Sequence, residues 1–420
     1  MRRLGSLSVF VLFFVTGTAA CGGDDPAPSA GPSDAEGEVD EEDGALPKCE
    51  LAVSKGPWVV AVDGTTAKVR WESCRSGGGA LTFAPEAGGA STRQGSAVSQ
   101  AIVTTNNEVP FRRTGDWAGT YFMHEVALKD LAPSTCYAYA LEQDTTAKGR
   151  FCTARPSGES FTFATIGDTN PGLGDLTVLQ DTIYGKKPEL TVHMGDIQYY
   201  SSGLESYGTW MELMRPMLRG AAFFPAIGNH EFEKPLEREE YVERFWGNPG
   251  FDGNSDYYRL QWGGVWFFAL NTEIEMGDGS PQMKWFAEKL DDATKKPGYR
   301  FAVVYFHRPF VTCGDTDQKD ALRKLYQPLF TKYAVKLVVA GHVHGYERFE
   351  FDDVTWLTSG GGGAKLSKMD ANVSRPECVD RKASGAFWNA TLITVKPGEI
   401  AGVTYDAKGA LRDSFTRVVP

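Results

Sequence analysis

A short, largely apolar run that ends in glycine and aspartate constrains the fold of this chain more than any other stretch. Residues 190–192 predict a buried strand, and Gly195-Asp196 follows just beyond its C-terminal end. Open α/β sheets bind their ligands at that end of their strands, so the carboxylate is a candidate ligand-binding group. Tyr199 follows soon afterwards, within reach of whatever Asp196 binds. A single Gly-Asp is usually an ordinary turn, because aspartate is a common turn residue, so the interpretation depends on the rest of the chain.

Four further predicted strands also end in polar residues. The strands at 161–166, 223–227, 301–306 and 336–340 end respectively in Gly167-Asp168, Gly228-Asn229-His230-Glu231, His307, and Gly341-His342-Val343-His344. Predicted helices alternate with the strands, at 176–184, 207–218, 281–290 and 318–333. This alternation predicts an α/β fold. A parallel sheet would bring all five polar strand ends to one edge.

These strand ends supply a mixed set of oxygen and nitrogen ligands. The two carboxylates, the amide, the phenol and the three imidazoles belong to Asp168, Asp196, Asn229, Tyr199, His307, His342 and His344. Such a set suits two first-row metal ions better than it suits calcium or magnesium alone. Two cations about 3.5–4 Å apart can share one carboxylate and can hold both the attacking and the leaving oxygen of an in-line displacement.

Each of these residues also has an ordinary structural explanation. A lone Asn-His is usually part of a loop, and a His-x-His pair is often structural even though its two rings share one face of a strand. Five of the six histidines nevertheless lie at predicted strand ends or just before them, which favours a metal site. His193 is expected to pack or to support a ligand rather than to bind metal, and His124 is expected to have no ligand role.

The five motifs, in this order, resemble those of the metallophosphoesterase superfamily, which is also called calcineurin-like. Their pattern is Gly-Asp, Gly-Asp-x-x-Tyr, Gly-Asn-His-Glu, His and Gly-His-x-His. Tyr199, together with the run from Gly341 to Arg348, narrows the resemblance to the purple acid phosphatases. The resemblance covers the chain from about Cys49 to its C-terminus. It implies a four-layer α/β (α+β) sandwich in which two packed mixed sheets are flanked by helices.

The resemblance also implies which residues would bind which metal ion. A ferric ion would be bound by Asp168, Asp196, Tyr199 and His344. A divalent ion, either Zn(II), Fe(II) or Mn(II), would be bound by Asp196, Asn229, His307 and His342. Asp196 would therefore bridge the two ions and be part of the catalytic machinery. Asn229 and His230 would contact the substrate phosphate, and His230 could also protonate the leaving alkoxide.

The implied activity is that of an acid phosphatase-like, metal-dependent phosphoric ester hydrolase. Metal ions would lower the pKa of a bound water, and the resulting hydroxide would attack a phosphate monoester. The partner would be a phosphorylated small molecule or ester, and no protein partner is inferred. A phosphodiesterase or nucleotidase of the same superfamily is an alternative, because the substrate pocket would be formed by loops such as 198–207 and 236–256. A non-catalytic surface-binding protein is a third, less favoured alternative, since inactive relatives usually lose ligands and none is missing here.

The chain departs from the purple acid phosphatase pattern at two places. The first motif continues with Thr169-Asn170, where a glycine is frequent. The fourth motif reads His307-Arg308-Pro309-Phe310, and no further histidine follows before His342. Members of the family often have another substrate-contacting histidine in that interval. Its absence bears on leaving-group chemistry and on the pH optimum.

Residues 48–155 are predicted to form an all-β sandwich ahead of a catalytic domain at 156–420. Residues 58–62 and 67–71 form a predicted hairpin around a turn at Asp63-Gly64. Further along, the pattern Leu-x-Pro-x-Thr-x-Tyr resembles a fibronectin type III domain, with Tyr137 as its tyrosine corner. Larger members of the family carry such an N-terminal domain.

The first residues predict export from the cell. Residues 1–20 contain two arginines, a short apolar run and small residues, which is the layout of a secretory signal peptide. Cys21 follows the small residues as in a bacterial lipobox, so the chain is expected to be lipid-anchored through Cys21 in the cell envelope or outside the cell. Ordinary cleavage nearby is the alternative. The stretch 21–47 is predicted to be an acidic, disordered tether, because it carries nine acidic residues among proline, glycine, alanine and serine.

The remaining cysteines and charges agree with an exported enzyme. Six cysteines besides Cys21 suggest disulfides, and proximity favours the pairs Cys49–Cys74 and Cys136–Cys152, which leaves Cys313–Cys378. The tether carries most of the net charge of −11. No basic cluster interleaved with aromatic residues is present, so a nucleic-acid-binding surface is not expected.

Overall fold

The computed structural model describes residues 50–104, 119–199, 204–232, 238–316 and 318–420. The predicted signal peptide (1–20), the tether (21–47) with Cys21, and Cys49 lie outside the described residues. Leu46–Pro420 forms one compact unit. Among the described residues, none of the helices has the length and the apolar character needed to cross a lipid bilayer.

Two four-stranded antiparallel sheets come first in the chain. One contains β1 (Lys55–Val60), β2 (Ala67–Ser73), β5 (Ala97–Thr104) and β6 (Gly119–Leu128), in the spatial order β1-β2-β6-β5. The other contains β3 (Ala80–Pro85), β4 (Thr92–Gly95), β7 (Cys136–Leu141) and β8 (Lys148–Cys152), in the order β4-β3-β7-β8. The predicted hairpin is β1 and β2. The Tyr137 hydroxyl accepts a hydrogen bond from the Ala132 backbone N–H at 2.9 Å.

A six-stranded mixed sheet follows. It contains β9 (Phe161–Ile166), β10 (Leu190–His193), β11 (Ala222–Pro225), β20 (Asn389–Lys396), β21 (Glu399–Asp406) and β22 (Leu411–Val418), in the order β11-β10-β9-β20-β21-β22. The strands β9, β10 and β11 are parallel, whereas the three C-terminal strands are antiparallel. Three of the predicted polar strand ends therefore lie side by side in this sheet.

The other two predicted strand ends belong to an eight-stranded mixed sheet. Its strands are β12 (Asp252–Gly253), β13 (Tyr258–Trp262), β14 (Val265–Ala269), β15 (Phe301–Phe306), β16 (Val335–Ala340), β17 (Tyr346–Phe351), β18 (Val354–Ser359) and β19 (Arg381–Gly385), in the order β12-β13-β14-β15-β16-β18-β17-β19. The expectation that one parallel sheet gathers all five ends is wrong. The ends are shared between two sheets, and the strand ends of one sheet lie beside those of the other, as the Gly167 N–H bond to the Ser359 carbonyl oxygen at 2.9 Å shows.

The two mixed sheets pack face to face through apolar side chains. Phe163 of β9 and Phe267 of β14 have ring centroids 5.1 Å apart in an edge-to-face contact. Along β15, Val303 joins this central core, whereas Val304 belongs to the core on the other side of the sheet. This alternation is the period of two that a strand buried on both faces requires. Each such side chain contributes about 1.5–3 kcal/mol when it is fully buried.

Helices cover the outer face of each sheet. They are α1 (Thr177–Tyr184), α2 (Leu204–Leu213), α3 (Arg215–Gly220), α4 (Pro281–Thr294) and α5 (Asp320–Lys332). Trp210 of α2 and Phe223 of β11 belong to one core, and Phe286 of α4 packs on Phe330 of α5 in another. The single helix predicted at 207–218 is two helices. The break at Met214 lies two residues before Pro216, whose ring disfavours a continuous helix at this point.

The remaining helical segments and the disulfides complete the fold. Asn229–Phe232 and Pro376–Asp380 are 3-10 turns, and Arg238–Trp246 is π-helical. None of these three segments was predicted. The predicted disulfides Cys136–Cys152 and Cys313–Cys378 are confirmed. Cys74 is also disulfide-bonded, whereas its predicted partner, Cys49, lies outside the described residues.

A buried ion cluster connects the first sheet to the π-helical segment. Lys55 Nζ lies 2.9 Å from one Glu72 carboxylate oxygen, and Arg244 donates from Nε at 2.9 Å and from Nη2 to the other. The Lys55 and Glu72 side chains are fully buried. Burial alone would raise the pKa of Glu72, but the two cations outweigh burial and lower that pKa below its usual value. The carboxylate therefore stays ionised and balances part of the buried positive charge.

Replacing Glu72 by glutamine should destabilise the protein strongly, because it leaves two buried cations without a counter-charge. We expect Glu72→Gln to lower the free energy of unfolding in urea by about 3–5 kcal/mol at neutral pH. The effect should shrink as the pH falls below the pKa of an unfolded carboxyl group, since the wild-type stabilisation is lost as Glu72 is protonated. As a control, Glu142→Gln removes one partner of the exposed Arg93 pair and should cost about 0–1 kcal/mol. Equal losses in the two variants would contradict this account.

Candidate metal centre

Three of the predicted metal ligands lie at strand ends where the backbone is left-handed. Asp168 follows β9 with φ of +59°, Asp196 follows β10 with φ of +49°, and His342 follows β16 with φ of +65°. This conformation is uncommon for residues other than glycine and costs free energy. It persists only where the surrounding structure enforces it, and such residues cluster at functional sites. The turns direct these three polar side chains toward one another from both mixed sheets.

Two glycines allow the carboxylates to come close to the neighbouring backbone. A Cβ on Gly228 would lie 2.2 Å from Asp196 Oδ1, and a Cβ on Gly341 would lie 2.6 Å from Asp168 Oδ2. No side chain tolerates such distances. The glycines of the Gly-Asn-His and Gly-His-x-His motifs are therefore needed for the close approach of the carboxylates.

The Tyr199 hydroxyl lies at the centre of one group of predicted ligands. It is 3.1 Å from Asp168 Oδ1, 3.1 Å from Asp196 Oδ2 and 3.1 Å from His344 Nε2. His344 Nε2 is also 3.4 Å from Asp168 Oδ1. The other nitrogen of His344 is 2.7 Å from the Lys365 carbonyl oxygen. Because that carbonyl can only accept, Nδ1 carries a hydrogen, and Nε2 is the nitrogen that faces the carboxylates.

A second group of predicted ligands surrounds His307. Its Nε2 lies 3.0 Å from Asn229 Oδ1, 3.2 Å from Asp196 Oδ2 and 3.1 Å from His342 Nδ1. Its Nδ1 donates to the Met194 carbonyl oxygen at 2.9 Å, which turns Nε2 inward. Asp196, His307 and His342 offer ligand atoms that all lie within 4.8 Å of one another. Asp196 belongs to both groups, as a bridging ligand would.

The electrostatics of this cluster fit bound cations. Burial, together with the carboxylates of Asp168 and Asp196, raises the pKa of Tyr199 well above its usual value. Burial alone would lower the pKa of His307, but the Asp196 carboxylate outweighs it and raises that pKa to about 10. The buried carboxylates thus hold protons on their neighbours unless another positive charge is supplied. Burial and the nearby His307 and Arg308 lower the pKa of His342 to about 2, so its ring is neutral and can act as a ligand.

Glu231 supports the centre and was not among the predicted site residues. Its fully buried carboxylate accepts backbone N–H bonds from Asp196 at 2.9 Å, Ile197 at 2.8 Å and Gly228 at 2.7 Å. It thereby joins the turn after β10 to the turn after β11. The Gly-Asn-His-Glu motif contains this residue, but only the structure shows that its bonds go to the backbone.

Thr169, in the Thr169-Asn170 stretch where a glycine is frequent, forms a buried hydrogen-bond network. Its hydroxyl donates to the Ile197 carbonyl oxygen and accepts from Trp210 Nε1 at 3.1 Å. His193 Nε2 lies 3.0 Å from the same hydroxyl oxygen and must therefore be the donor. Burial lowers the pKa of His193 to about 3, so the ring is neutral. His193 thus has the supporting role that was expected of it.

His230 lies on the more open side of the centre. Its ring centroid is 4.1 Å from that of Tyr199, and its backbone N–H donates to Asp196 Oδ1 at 2.9 Å. Its Nε2 is 3.8 Å from Asp196 Oδ2, and 22% of the side chain is exposed. The structure thus brings His230 together with the seven predicted ligands, whereas Cys21 lies outside the described residues. His124, by contrast, is stacked on Trp71 and hydrogen-bonded to Ser73 and Ser96 in the first sheets.

Comparison with known proteins gives one family match, at residues 161–346, to the calcineurin-like phosphoesterases. The chain is 27% identical over 252 residues to purple acid phosphatase 1 of Ipomoea batatas, covering 54% of this chain and 52% of that protein. It is 26% identical over 261 residues to the phosphoenolpyruvate phosphatase of Allium cepa, covering 57% and 53% respectively. The chain thus matches only about half the length of these relatives. The structure of a purple acid phosphatase from yellow lupin seeds shares the fold, with a TM-score of 0.69 at 18% identity over 87% of this chain and 75% of that one.

Adding a methyl group at Gly228 should disrupt the centre. In Gly228→Ala the new Cβ would collide with Asp196 Oδ1 and with the Asp196 backbone nitrogen, so the ligand must move. We expect the variant to lose most of its bound metal, measured by elemental analysis of folded protein. Gly78→Ala is the matched control, since nothing lies within 4 Å of a Cβ there. Wild-type metal content in Gly228→Ala would show that the close approach is not required.

Proposed function

We propose that this chain, whose residues 161–346 form a calcineurin-like phosphoesterase domain with purple acid phosphatase homologues, is a dinuclear-metal phosphatase that hydrolyses phosphate monoesters. The observation that carries the proposal is the convergence of two buried carboxylates, a phenol, an amide and three imidazoles. Asp196 Oδ2 lies within 3.2 Å of both Tyr199 and His307, so one carboxylate can serve two ions.

The ligands divide into two sets by their positions. Asp168, Tyr199 and His344 surround one position and would hold Fe(III), for which a phenolate is a suitable hard ligand. Asn229, His307 and His342 surround the other position and would hold Zn(II), Fe(II) or Mn(II). When bound, such a pair of ions polarises the phosphoryl group and lowers the pKa of the attacking water.

The protein's own side chains would bind and orient the substrate beside these ions. Asn229 Oδ1 faces His307, which leaves the amide Nδ2 to donate to a phosphate oxygen. His230 is held by its own backbone bond to Asp196 and by its contact with Tyr199. Its partly exposed ring can donate a hydrogen bond to the phosphate or a proton to the leaving oxygen. Asp168 accepts from the backbone N–H of His342 at 2.9 Å and 3.0 Å, and this contact joins the end of β9 in one mixed sheet to the end of β16 in the other.

Loops around the centre would form the substrate pocket and would therefore determine the preference for monoesters over diesters. Parts of the loops at 198–207 and 236–256 lie outside the described residues. A phosphodiesterase or nucleotidase with the same centre therefore remains the second candidate. Comparison of turnover on aryl monoesters, diesters and nucleotides, each at the same metal loading, distinguishes these activities. A protein that folds without metal and hydrolyses none of them would instead be a binding protein.

We also infer the arrangement of domains around this centre. The two antiparallel sheets at 55–152 would form a fibronectin type III-like sandwich, for which the Tyr137 hydroxyl bond to the backbone is the supporting contact. The catalytic domain would begin at about residue 156 and have a four-layer architecture, with helices outside the two mixed sheets.

Removing a ligand of the proposed divalent ion should abolish turnover. We expect Asn229→Ala and His307→Ala each to lose about one metal equivalent per protein and to reduce kcat by at least about 100-fold, because the ion lies at the reacting group. Elemental analysis, the visible absorption of a ferric phenolate and steady-state kinetics measure these effects. His124→Gln removes the histidine outside the centre and should keep wild-type metal content in folded protein. Wild-type metal content and activity in either variant would show that the replaced residue is not a ligand of the divalent ion.

Export with a lipid anchor is proposed from the sequence of the first residues. Cys21→Ser should move the protein from the membrane fraction to the soluble fraction and abolish incorporation of labelled fatty acid, since the thiol that carries the lipid is absent. The matched control is Ser29→Ala in the predicted tether, which keeps the Cys21 thiol and every disulfide and should leave both readouts unchanged. Membrane retention of Cys21→Ser without labelled lipid would mean that another feature anchors the chain.

A further inference from the structure

Arg308 lies beside the centre, next to the proposed ligands His307 and His342. No histidine lies between His307 and His342. Arg308 is the second residue after β15, and its backbone N–H donates to the Thr272 hydroxyl at 3.0 Å. Its side chain is 26% exposed, whereas His307 is fully buried. The arginine therefore extends from a buried metal ligand toward the solvent-accessible side.

Glu273 fixes the inner part of the guanidinium. Arg308 Nε donates to both carboxylate oxygens of Glu273, at 2.9 Å and 3.0 Å. Glu273 is itself held, because its backbone N–H donates to Asn271 Oδ1 at 2.9 Å and one of its oxygens accepts from the Thr272 hydroxyl at 3.0 Å. The contact orients the guanidinium through Nε and leaves its terminal nitrogens for other partners.

One terminal nitrogen of Arg308 faces a proposed metal ligand. Nη1 lies 2.8 Å from Nε2 of His342, whose Nδ1 points at His307. A neutral imidazole carries one hydrogen. If Nδ1 binds a metal ion, the hydrogen must lie on Nε2, where it faces the Arg308 N–H. Two donors then oppose each other, so Nη1 needs a different acceptor whenever the metal site is filled.

We propose that this acceptor is the phosphate of the substrate, and that Arg308 is a substrate-binding residue of the metal-loaded enzyme. The inference rests on the proposed function, since it requires a phosphorylated substrate at the centre. A guanidinium held at Nε presents paired N–H groups that match phosphate oxygens in geometry and charge. Arg308 would thus supply a positive charge beside the substrate phosphate.

A purely structural role for Arg308 predicts the opposite effect on metal binding. If the arginine only holds His342 in place, its removal should loosen the divalent ion. If it binds phosphate, its removal should leave the metal affinity unchanged or increase it, because a cation beside the centre repels metal ions. Metal affinity and phosphate affinity therefore distinguish the two roles.

The test uses the full chain loaded with metal and inorganic phosphate as the probe. Phosphate binding is measured by calorimetry and by competitive inhibition of aryl phosphate hydrolysis, and metal affinity is measured by competition with a chelator. Arg308→Ala should weaken phosphate binding and raise KM by about 10- to 100-fold, as expected for a lost charge-assisted hydrogen bond. Arg308→Lys should recover part of this loss, because it restores the charge without the planar fork. Glu273→Gln should give a smaller loss, since it only loosens the guanidinium.

The matched control is Arg323→Ala on α5. Arg323 is also a partly buried arginine paired with a glutamate, at 2.6 Å from Glu377, and should change neither affinity. The inference is overturned if metal-loaded Arg308→Ala binds phosphate as tightly as the wild type, or if it binds metal more weakly. The proposed function still holds in that case, provided that the wild-type enzyme hydrolyses phosphate esters. A wild-type protein that binds no metal and hydrolyses no phosphate ester overturns both.

Discussion

Two buried carboxylates that share one small space impose the main constraint on this structure. The Tyr199 hydroxyl is 3.1 Å from an oxygen of Asp168 and 3.1 Å from an oxygen of Asp196, and both aspartates are almost completely buried. Taking such charges out of water is costly unless they are paired, hydrogen-bonded or bound to metal ions. Most of the surrounding features can be understood as ways of holding these two charges in position.

The backbone supplies much of that stabilisation. The two carboxylate oxygens of Asp168 share the hydrogen of the His342 N–H, and Asp196 accepts a bond from the His230 N–H. Glu231 adds a third buried carboxylate, whose three backbone bonds fix the turns on which Asp196 and Gly228 lie. These contacts enforce left-handed conformations that would otherwise be unfavourable for aspartate and histidine. The packed apolar faces of the two sheets provide the rigidity against which the strained turns are maintained.

The surroundings of the centre differ between its buried and its open side. Toward the interior, the neutral His193 and the Thr169 hydroxyl connect the turns through hydrogen bonds without adding charge. Toward the solvent, His230 and Arg308 present donors that are partly exposed. This division suits a centre that keeps its ligands fixed while an anionic substrate enters and leaves. The Lys55–Glu72–Arg244 cluster joins the sheet that contains β1 and β2 to the π-helical segment Arg238–Trp246 by a similar balance of buried charges.

The sequence by itself determined the local elements and the chemistry of the ligands. The strands, such as the one at 301–306, were predicted from their apolar runs. The ligands Asp196, His307 and His342 were predicted from short motifs at the strand ends. Both signals are local in the chain. The helix break before Pro216 was not predicted, because the helical pattern on either side of it is continuous. Only the tertiary structure decided to which of the two sheets each polar strand end belongs, that Glu231 bonds to the backbone, and that Arg308 lies between Glu273 and His342. These are contacts between residues far apart or on different turns, and they depend on how the sheets pack, which no local pattern encodes.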